Sequence, residues 1–257
     1  MSFWEAALLG LIQGLTEFLP VSSSGHLVLG QALLGVKQPG VAFELLTHLG
    51  TLLAVLIYFR ARILQLIKSV FDSNLTEERR IVVMLVVATL PLVLIGTLFE
   101  SYLEQFFSNP WVAANMLLAT GAVLLTTRLF KDGKREVRTP GAIAMGLAQC
   151  LALLPGLSRS GSTIAFGMLA GVSAERAAEF SFLMAIPAIL GAVVYKAREL
   201  SHLDTGLLLP YLVGTAVAFG SGLFAVYAVL AVIRKGKFEY FAYYCFAAGV
   251  VGLYLFS

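Results

Sequence analysis

Two short segments concentrate residue types that can do chemistry together. The first reads Gln13-Gly-Leu-Thr-Glu17-Phe-Leu-Pro20-Val-Ser22-Ser23-Ser24-Gly25-His26, the second Pro155-Gly-Leu-Ser158-Arg159-Ser160-Gly161-Ser162-Thr163. Gln13 and Glu17 are one helical turn apart and share a face. Pro20 ends that helix, and a serine caps the next. A helix start offers unpaired N–H groups and the positive end of a dipole, both suited to an anion. Glu17 brings a carboxylate that can hold a cation or accept a proton. His26, one turn into the new helix, can exchange protons near neutral pH. The second segment repeats the Pro, Gly, hydroxyl and helix-start pattern and adds Arg159, whose planar fork matches phosphate oxygens. Such donors, hydroxyls, guanidinium, carboxylate and imidazole fit a phosphate or diphosphate better than a neutral solute.

The elements that must position these segments belong in a bilayer. Of the 257 residues, 59% are hydrophobic and 13% charged, and the mean hydropathy is +0.88. That charge share is about half that of a soluble domain, which could not hide so much apolar surface. The net charge of +3 is no nucleic-acid signal. Cys150 and Cys245 lie in apolar stretches and form neither a disulfide framework nor a metal spacing. The start, Met-Ser-Phe-Trp-Glu, lacks the basic region of a cleaved signal peptide. Six runs are long enough to span, near 41–59, 80–99, 110–129, 176–195, 208–233 and 238–257. A span needs about 20 apolar residues. Regions 3–36 and 140–172 are each interrupted by Pro, Gly and serines, which predicts re-entrant helical hairpins.

Basic loops favour the cytoplasm. Three such loops carry Arg60, Arg62, Lys68, Arg79 and Arg80; Arg128, Lys131, Lys134, Arg135 and Arg138; and Arg234, Lys235 and Lys237. The 100–109 loop has Glu100 and Glu104 and no Lys or Arg, so it is expected outside. Six alternating spans and two re-entrant hairpins satisfy this pattern, with Lys196 and Arg198 as its awkward residues. An internal repeat fits as well. At an offset of 136, Gly10, Leu11, Gln13, Leu15, Ser22, Ser24 and Gly25 match Gly146, Leu147, Gln149, Leu151, Ser158, Ser160 and Gly161. Halves of about 1–130 and 138–257, each one hairpin plus three spans, give inverted-topology repeats in a single membrane domain, with the tips meeting near the midplane. The fold class expected is an all-α polytopic membrane protein.

Plainer readings apply to the same residues. Ser and Gly mediate close helix packing in membranes, and Gln13 and Gln149 can bond across helices. Glu17 can serve only as the ion-pair partner of Arg159, and His26 can be a packed neutral ring. Glu44 and His48, four apart on one helix, can face the site, though a structural or interfacial role is the favoured reading. Glu175, Arg176 and Glu179 read as the solvated start of a span.

Gln13-x-x-x-Glu17 with Pro20-Val-Ser-Ser-Ser-Gly-His26, and Pro155-Gly-Leu-Ser-Arg-Ser-Gly-Ser-Thr163, resemble the two signatures of the bacterial undecaprenyl-diphosphate phosphatases of the bacitracin-resistance type. The resemblance extends over essentially the whole chain. It implies removal of the terminal phosphate from undecaprenyl diphosphate, giving the lipid carrier for peptidoglycan synthesis and resistance to bacitracin. It further implies a multi-pass protein of the bacterial cytoplasmic (inner) membrane, an active site on the outer side, and a divalent cation, Mg or Ca. Carried over by position, Glu17, Ser23, His26 and Arg159 are its catalytic residues. Ser22, Ser24, Gly25, Ser158, Ser160, Gly161 and Thr163 surround the phosphates, and Glu17 with Gln13 faces the metal. Gln13 stands where the family has Glu or Gln, which leaves one carboxylate. Ser23, activated by His26 or Glu17, is the first choice of nucleophile; His26 itself and a metal-bound water are alternatives. The partners implied are a polyprenyl diphosphate and membrane lipids, with no nucleic acid; a homodimer is compatible with such a chain. A transporter or flippase of a lipid phosphate or another organic anion, built on the same broken helices, is the rival reading.

Overall fold

The computed structural model describes residues 1–35, 41–72, 74–130, 133, 135–197 and 205–256. Lys131, Lys134 and Arg198, three of the orienting charges, lie outside the described residues, as do Val36 and Ser257 at the ends of two expected segments.

The chain is an all-α polytopic membrane protein. Its helices are α1 (Phe3–Phe18), α2 (Ser23–Leu34), α3 (Val41–Tyr58), α4 (Arg60–Phe71), α5 (Thr76–Leu98), α6 (Glu100–Phe107) and α7 (Pro110–Thr126). Then come α8 (Thr139–Leu151), α9 (Arg159–Leu169), α10 (Ala174–Tyr195), α11 (Leu208–Arg234) and α12 (Tyr240–Phe256). Among the described residues the single β pairing is an isolated bridge between Arg135 and Val172. Four helices among the described residues, α5, α7 with its 3₁₀ extension, α10 and α11, are long and apolar enough to cross a bilayer. Helix α3 joins them if counted with α4, to which it is bent by 80°, and α12 is a shorter apolar helix. The basic 60–80 segment is thus largely helical: α4 carries Arg60, Arg62 and Lys68, and α5 begins at Thr76. The acidic 100–109 segment contains α6, which buries none of its residues.

Outward faces carry large apolar side chains, as a lipid solvent allows. Leu90, Leu94 and Leu98 on α5 are all more than half exposed. Inside, the principal core gathers Phe18, Met145, Ile164, Phe180, Phe182, Met184 and Val226, with Phe18 and Phe182 edge-to-face at 5.6 Å. Helix α1 packs along α11, α8 along α5, α3 against α11 and α10, and α7 against α12. The two hairpin entries use glycine for this. A methyl group on Gly10 would lie 2.9 Å from the Cα of Gly214, and one on Gly146 would lie 2.6 Å from the carbonyl of Ala88. Small residues let the backbones close up where no solvent drives association.

Candidate active site

Local sequence builds each hairpin. Helix α1 opens with a capping box, in which the Glu5 N–H donates to Ser2 Oγ at 3.3 Å and the Ser2 N–H to Glu5 Oε2 at 2.7 Å. It stops at Phe18 because Leu19, preceding Pro20, is extended (φ −60°, ψ 140°). Ser22 then caps α2, its Oγ accepting from the Gly25 N–H at 3.3 Å. Its φ of +68° makes it the one non-glycine residue in the left-handed region among the described residues. Such a conformation costs about 1–3 kcal/mol and concentrates at functional sites. Ser158 caps α9 in the same way, accepting from the Gly161 N–H at 3.1 Å after a turn at Gly156 (φ +96°). In both tips the cap hydroxyl also meets the serine two residues on, at 3.2 Å (Ser22 to Ser24) and 3.3 Å (Ser158 to Ser160).

The tips are locked to each other. A methyl group on Gly25 would lie 2.7 Å from the Cα of Gly156. Ser160 Oγ donates to the Leu19 carbonyl at 3.1 Å. From α7, Thr120 Oγ1 donates to the Gly156 carbonyl at 2.8 Å and accepts from the Ser158 N–H at 3.0 Å. Thr163 Oγ1 bonds Ser181 on α10 at 2.7 Å, fixing α9 from behind.

Glu17 is the hub, with a side chain only 5% exposed. Its Oε1 accepts from Arg159 of the opposite tip. Its Oε2 accepts from Gln13 Nε2 at 2.9 Å and from Ser23 Oγ at 2.6 Å, and His48 Nε2 stands 3.7 Å away. The Ser23 hydroxyl therefore points its proton at a carboxylate, with a guanidinium on the carboxylate's other oxygen. His48 donates from Nδ1 to the Glu44 carbonyl at 2.7 Å, the geometry that leaves Nε2 toward Glu17.

A cavity of about 580 Å³ opens on this cluster. Glu17, Ser22, Ser23, Ser24, Ser158 and Arg159 line it together. Other expected site residues stand behind the wall. Gln13 is fully buried against Glu17; Gly25 and Gly161 donate to the caps; Ser160 and Thr163 brace the tips. His26 is turned away from Ser23: its Nδ1–H donates to the Ser22 carbonyl at 2.8 Å, its Nε2 accepts from the Tyr244 hydroxyl at 2.8 Å, and the two rings stack. The structure pairs Ser23 with Glu17, not with His26. Glu44 and His48, for which the sequence favours a structural or interfacial role over one facing the site, line the cavity together with Gln31. Their one-turn spacing was the available signal, and it could not say which way α3 faces. Gln149, for which a cross-helix bond is the plainer reading of the sequence, also lines the cavity. Glu179, in contrast, pairs with Arg62 at 3.0 Å and Arg176 at 3.3 Å, away from the cavity.

The far wall is apolar on α5 and α10, with Leu92, Ala188, Ile189, Ala192 and Val193, and ends at Glu104, Phe107 and Lys196. Lys196 bridges to Glu104 at 2.8 Å and Glu100 at 3.1 Å, and the Tyr195 hydroxyl donates to Glu100 at 2.7 Å. The awkward charge of that loop is thus neutralised by α6. Burial alone would push Lys196 down, but its bonds to Glu104 and Glu100 outweigh burial and hold it above its ordinary value. The Tyr195 hydroxyl and Lys196 hold the exposed Glu100 below its own.

Among the described residues no group of three or more His, Cys, Asp or Glu side chains forms a ready metal cage. The donors at the first tip nonetheless fit a hard divalent cation. Glu17 supplies a carboxylate on the cavity wall, and behind it Gln13 Oε1 is buried without a hydrogen-bond partner. Mg commonly takes one or two carboxylates and completes its shell with water and substrate phosphates.

A sequence model described as bacitracin resistance protein BacA matches residues 6–251. Among curated proteins, the undecaprenyl-diphosphatase of Salinibacter ruber is 43% identical over 270 residues, covering 99% of this chain and 100% of the relative. That of Carboxydothermus hydrogenoformans is 41% identical over 262 residues, with 99% and 98% covered. That of Methanobrevibacter smithii is 40% identical over 268 residues, with 98% and 96% covered. Likeness on this scale, end to end, makes the chain a member of the BacA bacitracin resistance protein family.

Proposed function

We propose that this protein hydrolyses undecaprenyl diphosphate to undecaprenyl phosphate and inorganic phosphate, recycling the lipid carrier for peptidoglycan synthesis in the bacterial cytoplasmic membrane. The carrying observation is the Ser23 hydroxyl bonded at 2.6 Å to a buried carboxylate that also holds Arg159, all on the wall of one cavity. Moving a phosphate across a membrane needs positive charge and helix dipoles; it needs no hydroxyl paired to a base. That pair favours hydrolysis over transport.

In this mechanism Glu17 takes the Ser23 proton as Oγ attacks the terminal phosphorus. The Ser23 O–P bond forms, the anhydride P–O bond breaks, and its electron pair leaves on the lipid phosphate. Glu17 gives the Ser23 proton to the departing lipid phosphate and is an anion again. Water then attacks the phosphoserine as Glu17 takes its proton, the Ser23 Oγ–P bond breaks, and Glu17 returns the proton to Ser23 Oγ as inorganic phosphate leaves. Arg159 exchanges its carboxylate partner for phosphate oxygens, whose charge it neutralises, since phosphoryl transfer is chiefly positioning and charge stabilisation. The N–H groups of Ser23 and Ser24 in the first turn of α2, and of Arg159 and Ser160 in that of α9, are the remaining donors of the two tips. A divalent cation, Mg or Ca, bound at Glu17 and Gln13 would neutralise further phosphate charge. The apolar wall of α5 and α10 receives the start of the polyprenyl tail. The cavity ends at α6, the acidic segment assigned to the outer side, which supports an outward-facing site. The correspondence of the two hairpins in caps, glycines and packing partners supports descent of the halves, about 1–130 and 138–257, from one inverted repeat.

The test is phosphate release from undecaprenyl diphosphate by purified protein, with and without Mg or Ca. Glu17→Ala and Ser23→Ala should each lower it by a hundredfold or more, on the order of what the loss of an activated nucleophile or its base costs. Undiminished release in Ser23→Ala would assign the attack to water.

A further inference from the structure

Gln149 lies near the end of α8, fully buried, and neither its Nε2 nor its Oε1 has a partner within the protein. Buried polar groups in folded proteins are satisfied by protein, water or ligand, and leaving both ends of a carboxamide unpaired is costly. The side chain lines the same cavity as Ser158 and Arg159. Its counterpart in the first hairpin, Gln13, places its own Nε2 on Glu17 at 2.9 Å. Sequence explains the difference. At the offset of 136 that matches Gln13 to Gln149, the position matching Glu17 is Leu153, so the second hairpin has no carboxylate for its glutamine to hold. The residue lines the cavity wall together with Leu153 and Leu157, and its amide is left buried and unpaired there.

We propose that Gln149 is a substrate-binding residue whose carboxamide grips the phosphate that stays on the lipid. Ser23 and Glu17, on the first tip, address the phosphate under attack. The phosphate joined to the tail then falls toward the second tip, where the wall turns apolar at Leu153 and Leu157. Nε2 donates to an ionised phosphate oxygen, and Oε1 accepts from a protonated or hydrated one. A neutral amide holds the departing lipid phosphate more weakly than a second arginine would, which lets the product leave. The assignment rests on the hydrolase reading for the identity of the ligand, and its geometry on the unpaired amide.

The test uses the full chain in detergent and two substitutions, Gln149→Met, which keeps volume and removes polarity, and Gln149→Glu, which adds a repelling charge. Turnover of undecaprenyl diphosphate should show KM raised about tenfold or more in Gln149→Met, as for a lost bond to a charged group, and further in Gln149→Glu. In a Ser23→Ala background, undecaprenyl diphosphate and undecaprenyl phosphate should each raise the melting temperature less when Gln149 is Met. The ligand-free melting temperature should be unchanged or higher in Gln149→Met, because an unpaired amide has gone. A fall in that temperature would mean the amide bonds across helices, and a wild-type KM with wild-type ligand shifts would equally overturn the proposal. If the protein releases no phosphate but its lipid-induced shift still depends on Gln149, the hydrolase reading fails and the binding site stands.

Discussion

At the residue scale, Glu17 is asked to do two things, and its surroundings show how they are reconciled. A carboxylate with a 5% exposed side chain survives as an anion only if it is paired and hydrogen-bonded. Arg159, Ser23 and Gln13 meet that need without substrate. In the proposed mechanism a phosphate draws Arg159 away, and Glu17 would then lose that partner while Ser23 still points at it, which would ease proton transfer from Ser23. Because breaking a buried pair leaves a charge uncompensated, Glu17→Ala should destabilise the protein by about 3 kcal/mol. The double variant Glu17→Ala with Arg159→Met should recover part of that loss, measured as melting temperature in detergent. Additive losses would mean the two charges are not coupled in the resting protein. His26 belongs to a different chain of contacts, running from the Ser22 carbonyl to Tyr244 on α12. It braces the strained cap that aims Ser23. Tyr244→Phe removes one neutral hydrogen bond, about 1 kcal/mol, and should lower turnover by roughly fivefold or less. A loss as deep as that of Ser23→Ala would restore His26 to the chemistry itself.

At the scale of elements, the hairpins were legible in the sequence because caps and breaks are local. Pro20 and the Ser-x-Ser-Gly runs dictate a stop, a cap and a restart whatever surrounds them, and the structure shows that order twice. The orientation of α3 was not legible. Glu44 and His48 reach the cavity only because α3 is packed against α11 and α10, and such long-range contacts leave no local trace. The bend between α3 and α4 was hidden for another reason. Arg60 and Arg62 read as loop charges, yet Arg62 is satisfied within the fold by Glu179 at 3.0 Å and Glu78 at 3.7 Å, so the helical backbone resumes after Phe59. Close approach of the tips carries a prediction of its own. Gly25→Ala would drive a methyl group to 2.7 Å from the Gly156 backbone, where no flexible side chain can yield. Overpacking of that kind costs about 1–3 kcal/mol, and parting the tips should also separate Ser23 and Glu17 from Arg159, abolishing most turnover. Gly30→Ala, on the same helix, meets only the Ile12 Cδ1 at 3.4 Å and should keep near-normal turnover. Equal effects of the two would mean that α2 helicity, not tip contact, is what matters.

For the whole molecule, one cavity is lined both by the Glu17, Ser23 and Arg159 cluster and by Glu104 and Phe107 of α6 with Lys196. Helix α6 buries no residue of its own, so its position depends on its neighbours and on the contacts of Glu100 and Glu104 with Tyr195 and Lys196. Glu100 is held below the usual carboxylate value and Lys196 above the usual ammonium value. Glu100's contribution is therefore present at and above the usual carboxylate range and is lost as pH falls through its lowered value. Lys196's contribution is present at neutral pH and is lost as pH rises through its raised value. Across neutral pH both groups stay charged, so the contact should not shape the pH dependence of turnover there. Each such partly exposed pair is worth about 0.2–1 kcal/mol, so Lys196→Met should speed amide hydrogen exchange in residues 100–107 by roughly two- to fivefold. In the wild-type protein that acceleration, after allowance for the intrinsic pH dependence of exchange, should be absent across neutral pH and appear on acidification below the carboxylate range or at alkaline pH above the usual lysine value. Exchange in α6 that ignores both the substitution and the acidification would show that this helix is held at the cavity mouth by lipid or by its own chain connections, and that the Lys196 bridges are incidental.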